Sequence, residues 1–326
     1  MTAGAELFTL VRKGVAATNL GAEAKKPFRF LLCGDPALVA EFRALLLSGH
    51  ADGVPFDAPS TLETIDPSHA STAVGPDVRC VIFLARPGDL AGARLDLLKT
   101  LQLPIFVVTV DAAILESHPA NAPGPGEIGE YIVPGIDRES LRHRLFPHII
   151  EHCKGVEVAV GRRLPPLREA VANKLTRNAA TSALWVAGAS AVADHVPVVG
   201  LFLGAVASAG DMVAITGIQI VLMVQIGAAY GKDPDVRHIW ELLPVVGGGF
   251  GWRALSRELA GFVPVAGIAI KAAIAYAGTI VVGEGSAFYY EHGRHMTATQ
   301  AAELYDEKKR SAMVFARDLF TRFKRK

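Results

Sequence analysis

The chain has 326 residues, a formal net charge of +1 and a mean hydropathy of +0.32. That length accommodates roughly two or three domains, and the balanced charge excludes bulk nucleic-acid binding. The three cysteines, Cys33, Cys80 and Cys153, are far apart, match no metal spacing and read as reduced, unpaired thiols, those in strands as small buried hydrophobes.

In the first residues Glu6, Arg12 and Lys13 interrupt the apolar stretch, and no cleavage site follows. An amphipathic helix using Leu7, Leu10, Val11 and Val15 is expected within 1–26. Residues 27–153 are expected to form an α/β domain. Strands are predicted at Phe28–Cys33, Val78–Leu84, Pro104–Val110 and Tyr131–Val133, with Thr61–Ile65 as a further option. Helices are predicted at Val39–Leu47, Leu90–Leu101 and Arg138–His152, and the Pro- and Gly-rich Ala120–Gly129 reads as a loop. Short apolar strands joined by crossover helices imply a mainly parallel sheet with flanking helices.

From 154 to 293 the texture changes. Gly155–Arg177 is basic, and between Asn178 and Gly231 only Asp194 and Asp211 carry formal charge. "MVAITGIQIVLMVQIGAAYG" is 20 uncharged residues, roughly 30 Å as a helix and long enough to cross a bilayer core. "PVVG" at Pro197 and Pro244 and "PVAG" at Pro264 suggest repeated helix starts, hence an apolar helical-hairpin domain. Within it Thr216, Gln219 and Met223 share one helical face and are candidate helix-keying or interaction residues. Packed-helix satisfaction is the alternative reading. Gly204, Gly210, Gly217, Gly227, Gly278, Gly283 and Gly285 permit close helix contacts. "EHGRH" carries His292 and His295 but not a metalloprotease pattern.

Residues 294–326 regain charge. Ala312, Phe315, Leu319 and Phe323 recur at helical spacing, while Arg317, Arg322 and Lys324 gather towards the end. A basic amphipathic helix of this kind lies on an anionic membrane, docks on a partner, or packs on its own domain.

The strand-turn-helix "KPFRFLLCGDPALVAEFRALLLSG" places Gly34 where a phosphate loop would sit. The turn has no Lys and no Ser or Thr for phosphate and magnesium, and Asp35 brings negative charge there. Asp66, after "LETI", and Asp111, after "PIFVVTV", would share the same C-terminal sheet edge, where open α/β sheets bind ligands. Gly34, Asp66 and Asp111 form a candidate vestigial cofactor groove; the competing reading makes both acids turn or cap residues.

Residues 28–152 resemble an Era-like small GTPase domain whose motifs have decayed. Residues 155–293 resemble the domain of unknown function found C-terminal to Era-like GTPases and in related bacterial inner-membrane proteins. The motifs are "GRRLPPLREAVANKLTRNAA", "HVPVVG" through "GDMVAITGIQIVLMVQIGAAYG", and "GWRALSRELAGFVPVAGIAIKAAIAYAGTIVVGEGSAFYYEHG". The resemblance implies membrane association and a regulatory or scaffolding role, with no catalytic or metal-binding residue to carry over. The expected function is a non-catalytic pseudo-GTPase-like, membrane-associated adaptor at the cytoplasmic face of the inner membrane. Its partners would be the membrane, integrally or peripherally, and an unidentified protein, with no nucleic acid and with homo-oligomerisation open. No cofactor is expected. One alternative is a nucleotide-binding GTPase with a non-standard pocket for GTP or GDP with magnesium; the other is a soluble helical scaffold in the cytoplasm.

Overall fold

The computed structural model describes residues 20–66, 74–89, 92–113, 117–188, 211–233 and 268–323. A short helix α1 (Leu20–Glu23) leads into β1 (Arg29–Gly34), α2 (Pro36–Leu46), β2 (Leu62–Thr64), β3 (Val78–Ala85), α3 (Gly92–Lys99), β4 (Ile105–Val110) and β5 (Ile128–Val133). Then come α4 (Arg138–Arg142), α5 (Leu145–Glu151), α6 (Glu157–Arg163), α7 (Arg168–Gly188), α8 (Asp211–Ala229), α9 (Ile268–His292) and α10 (Ala298–Phe323). The result is a parallel α/β region followed by a mostly helical C-terminal region.

The five strands lie in the order β2-β1-β3-β4-β5, and every pairing is parallel. Both faces are buried, which is why the strands read as apolar runs rather than alternating ones. Leu31, Cys33, Val81, Phe83, Ile105 and Val107 form one face, packed with Leu98 of α3. Their neighbours Phe30, Leu32, Ile82, Leu84, Phe106 and Val108 point the other way and are also buried. Helix α2 packs against β1 and β3, burying Leu38, Val39, Phe42 and Leu46 at the spacing of one helical face.

Three boundaries differ from the sequence expectation for local reasons. Helix α2 starts at Pro36 rather than Val39 because Asp35 caps it and Pro occupies the first turn. Strand β5 starts at Ile128, inside the expected loop, because Gly129 pairs with Phe106 and its missing side chain admits the Pro123 ring. The expected helix Arg138–His152 is two helices, the first capped by Asp137 on the Ser140 amide. Pro147 cannot continue a helix through His143, whose carbonyl its ring would meet.

Two arginines fasten the α/β unit. Arg29 at the start of β1 reaches Asp77 at 2.6 and 3.0 Å and pairs with Glu63 of β2. That bond holds the Asp77 carboxyl below its usual range. Arg163, almost buried, donates to Asp57 at 2.5 Å and to the carbonyls of Lys26 and Lys25 at 3.2 and 3.3 Å.

Contacts divide the chain into two compact units. One comprises Ala22–Lys174 with Ala229–Gly231; the other comprises Met1–Gly21, Leu175–Ala228 and Lys232–Lys326, and is the helical unit by its described elements. In the helical unit α9 and α10 pack along one another. Thr297 and Gln300 start α10 as a reciprocal capping box: the Gln300 amide donates to Thr297 Oγ1 at 3.2 Å, and the Thr297 amide to Gln300 Oε1 at 3.0 Å. Small residues set the helix spacing. A side chain at Gly283 would overlap Thr176, and one at Gly227 would strike the Tyr290 hydroxyl.

Among the described residues no helix is long and apolar enough to cross a membrane. The expectation of a span at Met212–Gly231 is corrected accordingly. Helix α8 ends at Ala229 and the chain turns at Gly231 with φ +94°. Inside it Gln219 is buried on Thr279. In α9, Lys271 is exposed and burial raises the Glu284 carboxyl pKa, opposed by nearby Lys308. The Pro197, Pro244 and Pro264 repeats, Asp194, His195, Gly204, Gly210 and the 1–19 segment lie outside the described residues.

Replacing Gly283 by Leu is expected to push α9 away from Thr176 and to destabilise the chain by about 2 kcal/mol or more, measured as a lower urea midpoint. An unchanged midpoint would mean the two helices do not meet there.

Candidate functional site

Parallel strands in the order 2-1-3-4-5 have a topological switch point between the first and third strands, where doubly wound sheets bind ligands. The residues at that point are Gly34 at the end of β1, Asp35 after it and Arg86 after β3. Gly34 has φ +111°, and a Cβ there would overlap the backbone of Leu84. Only glycine permits this approach. It lets the Asp35 amide donate to the Leu84 carbonyl at 2.8 Å.

Beyond that bond the turn supplies its own anion. Asp35 Oδ1 accepts the amides of Ala37 and Leu38 at 2.9 and 3.0 Å, the donors a phosphate would use at a helix start. Arg86 Nε donates to Asp35 Oδ2 at 3.1 Å. The Leu38 amide above all, with Arg86 and the Ala37 amide, lowers the carboxyl pKa. A carboxylate held in this way cancels the positive end of the helix.

The other two groove residues are on the same sheet edge. Asp66 lies two residues past β2, and its charge adds to burial in pushing the Cys33 thiol up to about 12. Asp111 directly follows β4; its amide donates to the Val133 carbonyl at 2.9 Å, and its Oδ1 accepts the Ala113 amide at 2.9 Å. That is an Asx turn. Gly34, Asp66 and Asp111 thus end three parallel strands, with Asp35 and Arg86 filling the switch point.

In the helical unit Gln219 Nε2 donates to Thr279 Oγ1 at 3.3 Å, and Thr279 donates on to the Ala275 carbonyl at 2.8 Å. Met223 is buried with Val282, and Thr216 is half-buried. Gln219 and Met223 therefore both face α9. The side chains of Arg317 and Arg322, and all of Lys324, lie outside the described residues.

Sequence reasoning missed Arg86, which the position of a charged residue right after a buried strand could have flagged. It also missed His148, His152 and Tyr131. The i, i+4 spacing of the two histidines on one helix was the available signal.

Among the described residues no group of three or more His, Cys, Asp or Glu could hold a metal ion. Together with the lack of a spanning helix there, this overturns the reading as a non-catalytic pseudo-GTPase-like, membrane-associated adaptor. What stands is a mixed α/β and helical protein, which fits the scaffold alternative better. No family model, curated protein or solved structure matches the chain.

Gly34→Ala is expected to cost at least about 3 kcal/mol, from the strained φ and the overlap with Leu84, seen as a lower urea midpoint. Asp35→Asn retains a capping oxygen and is expected to unfold close to the parent, whereas Asp35→Leu, lacking the cap, unfolds at lower urea. Equal midpoints for Asn and Leu would remove the capping role.

Proposed function

We propose that the chain is a helical scaffold that works by presenting rigid surface to other proteins and not through a bound nucleotide. The observation that carries this reading is the Asp35 carboxylate on the Ala37 and Leu38 amides, paired with Arg86. A triphosphate would have to displace an anion that is part of the chain, at a turn with no lysine or hydroxyl to compensate.

A second feature supports a binding role. Phe56 is fully exposed and Val54 half exposed, yet their loop is held in place. Asp57 is bound to Arg163 at 2.5 Å, His50 Nε2 contacts the Arg163 carbonyl at 3.1 Å, and the Ala58 amide donates to the Pro55 carbonyl at 3.0 Å. An aromatic side chain on an ordered loop loses little entropy on docking, which suits an interface anchor. In this reading the parallel sheet is the support for that loop.

Titration calorimetry with GTP, GDP and ATP, with and without magnesium, is expected to give no saturable heat. Purification without detergent is expected to give a monodisperse chain that does not sediment with anionic liposomes. Saturable nucleotide binding abolished by Gly34→Ala in a still-folded chain would overturn the nucleotide-free part. Sedimentation with liposomes would overturn the scaffold assignment.

A further inference from the structure

One edge of the sheet is β5, and residues 117–123 meet it at Ser117 and Pro123. Ser117 and Ile132 form an isolated antiparallel bridge: the Ile132 amide donates to the Ser117 carbonyl at 2.8 Å, and the Ser117 amide to the Ile132 carbonyl at 3.2 Å. Pro123 is buried on Gly129. Two histidines, His148 in α5 and His152 at its C-cap, reach this segment. His148 meets the His118 ring edge-on at 6.3 Å, and the Pro123 backbone accepts a hydrogen bond from His152.

The rings form a continuous row under the segment. His118, His148, Tyr131, Phe106 and His152 follow one another at centroid separations of 6.3, 5.7, 5.8 and 5.9 Å. Tyr131 is fully buried, and its hydroxyl lies 2.6 Å from His148 Nδ1. Burial raises the phenol pKa, so the phenol keeps its proton and donates it. His148 Nδ1 is then the acceptor, and Nε2 carries the ring proton. His152 Nε2 is buried with no hydrogen-bond partner.

We propose that His148 and His152 are a proton-operated latch that fastens residues 117–123 to the outer edge of β5 and releases them in acid.

The chemistry follows from which nitrogen each ring has left to protonate. On His148 it is Nδ1, already occupied by the Tyr131 hydroxyl, so a proton there turns an acceptor into a second donor facing a donor. On His152 it is Nε2, which has no acceptor to receive an added N–H. A positive His148 also faces His118 of the segment itself. Glu151, one turn from His148 on α5, opposes this in part, but its carboxylate is bound to Lys174 of α7. The charged and titratable groups around the pair are therefore His118, Tyr131, Glu151 and Lys174.

Burial, first of all, lowers the pKa of both His148 and His152 from 6.5, with His118 adding to the shift on His148; Glu151 opposes it on both rings, and the Pro123 carbonyl bond opposes it on His152, so the net release in acid rests on burial outweighing them. The closed form thus binds fewer protons than the open form between the lowered value and 6.5. Closure is fully favoured above 6.5 and is lost as pH falls through the lowered values. Opening leaves the N–H and C=O groups of the β5 edge unpaired, the template on which another strand adds.

The test is hydrogen exchange on the full chain at about pH 7.5 and about pH 5, corrected for intrinsic rates and referenced to Ile82 and Phe83 in β3. Protection of the Ser117 and Ile132 amides is expected to be lost in acid, while the β3 amides keep theirs. The His148→Gln, His152→Gln double variant keeps a hydrogen-bonding side chain at both positions and is expected to lose the pH response. If that variant does not fold, His118→Gln at an exposed position reads the same effect as a smaller response. Proton NMR of the parent is expected to show His148 and His152 titrating below 6.5 in step with the amide loss. Amides protected equally at both pH values, a full response in the folded variants, or two histidines titrating as in a free peptide would each overturn the latch.

Discussion

The hydrogen bond from the Asp35 amide to the Leu84 carbonyl, 2.8 Å long, decides what the C-terminal edge of the sheet is. It requires the backbones of β1 and β3 to meet where only glycine fits, and it aims the Asp35 carboxylate at the first free amides of α2. Those amides are unsatisfied in any helix and would otherwise wait for an external anion. Here the chain fills them itself, and Arg86 balances the charge. At this turn the chain's own carboxylate takes the place an external anion would have, and the turn is a cap.

The sheet's other margins are closed by the same kind of device, a polar side chain that completes backbone or charge left open by the topology. Arg29 joins β1 to Glu63 and Asp77 at the N-terminal edge. Arg163 takes the Lys25 and Lys26 carbonyls, which no strand partner covers. The outer side of β5 is met by residues 117–123 at Ser117 and Pro123, held by histidines rather than by a further strand. The ionisable groups that do structural work are at the edges, where solvent reduces the cost of burying charge. In the helical unit, among the described residues, Gly227 and Gly283 permit close helix approach, and the Gln219–Thr279 bond is a buried polar link between α8 and α9.

Much of the α/β region was legible. Buried strands such as "FLLCG" and "VRCVIFLA" are apolar on both faces, and that pattern specifies a parallel, two-sided sheet. Asp35 was visible as a charge in the wrong place for phosphate, although its partner Arg86, distant in sequence, was not. Pro147 splitting the helix after Arg142 and Asp35 advancing the start of α2 were local signals that hydrophobic periodicity masked. Strand β5 was partly hidden because Gly129 looks like a loop residue until Pro123 is seen to need the space. The long uncharged stretch of α8 misled in the other direction. Hydropathy counts apolar side chains but does not register that Gln219 pairs with Thr279 inside a helix bundle.

By itself the sequence determined the alternation of strands and helices, the change of texture near residue 154 and the lack of phosphate-binding side chains after β1, because these depend on neighbours a few residues apart. Only the tertiary structure decided that Asp35 is satisfied by Arg86, that Gly34 is required by Leu84, and that His118, His148 and His152 gather at one sheet edge. Each of these joins residues separated by a strand crossover or by a strand and two helices. Their geometry is set by how the sheet packs, and no periodicity along the chain encodes it.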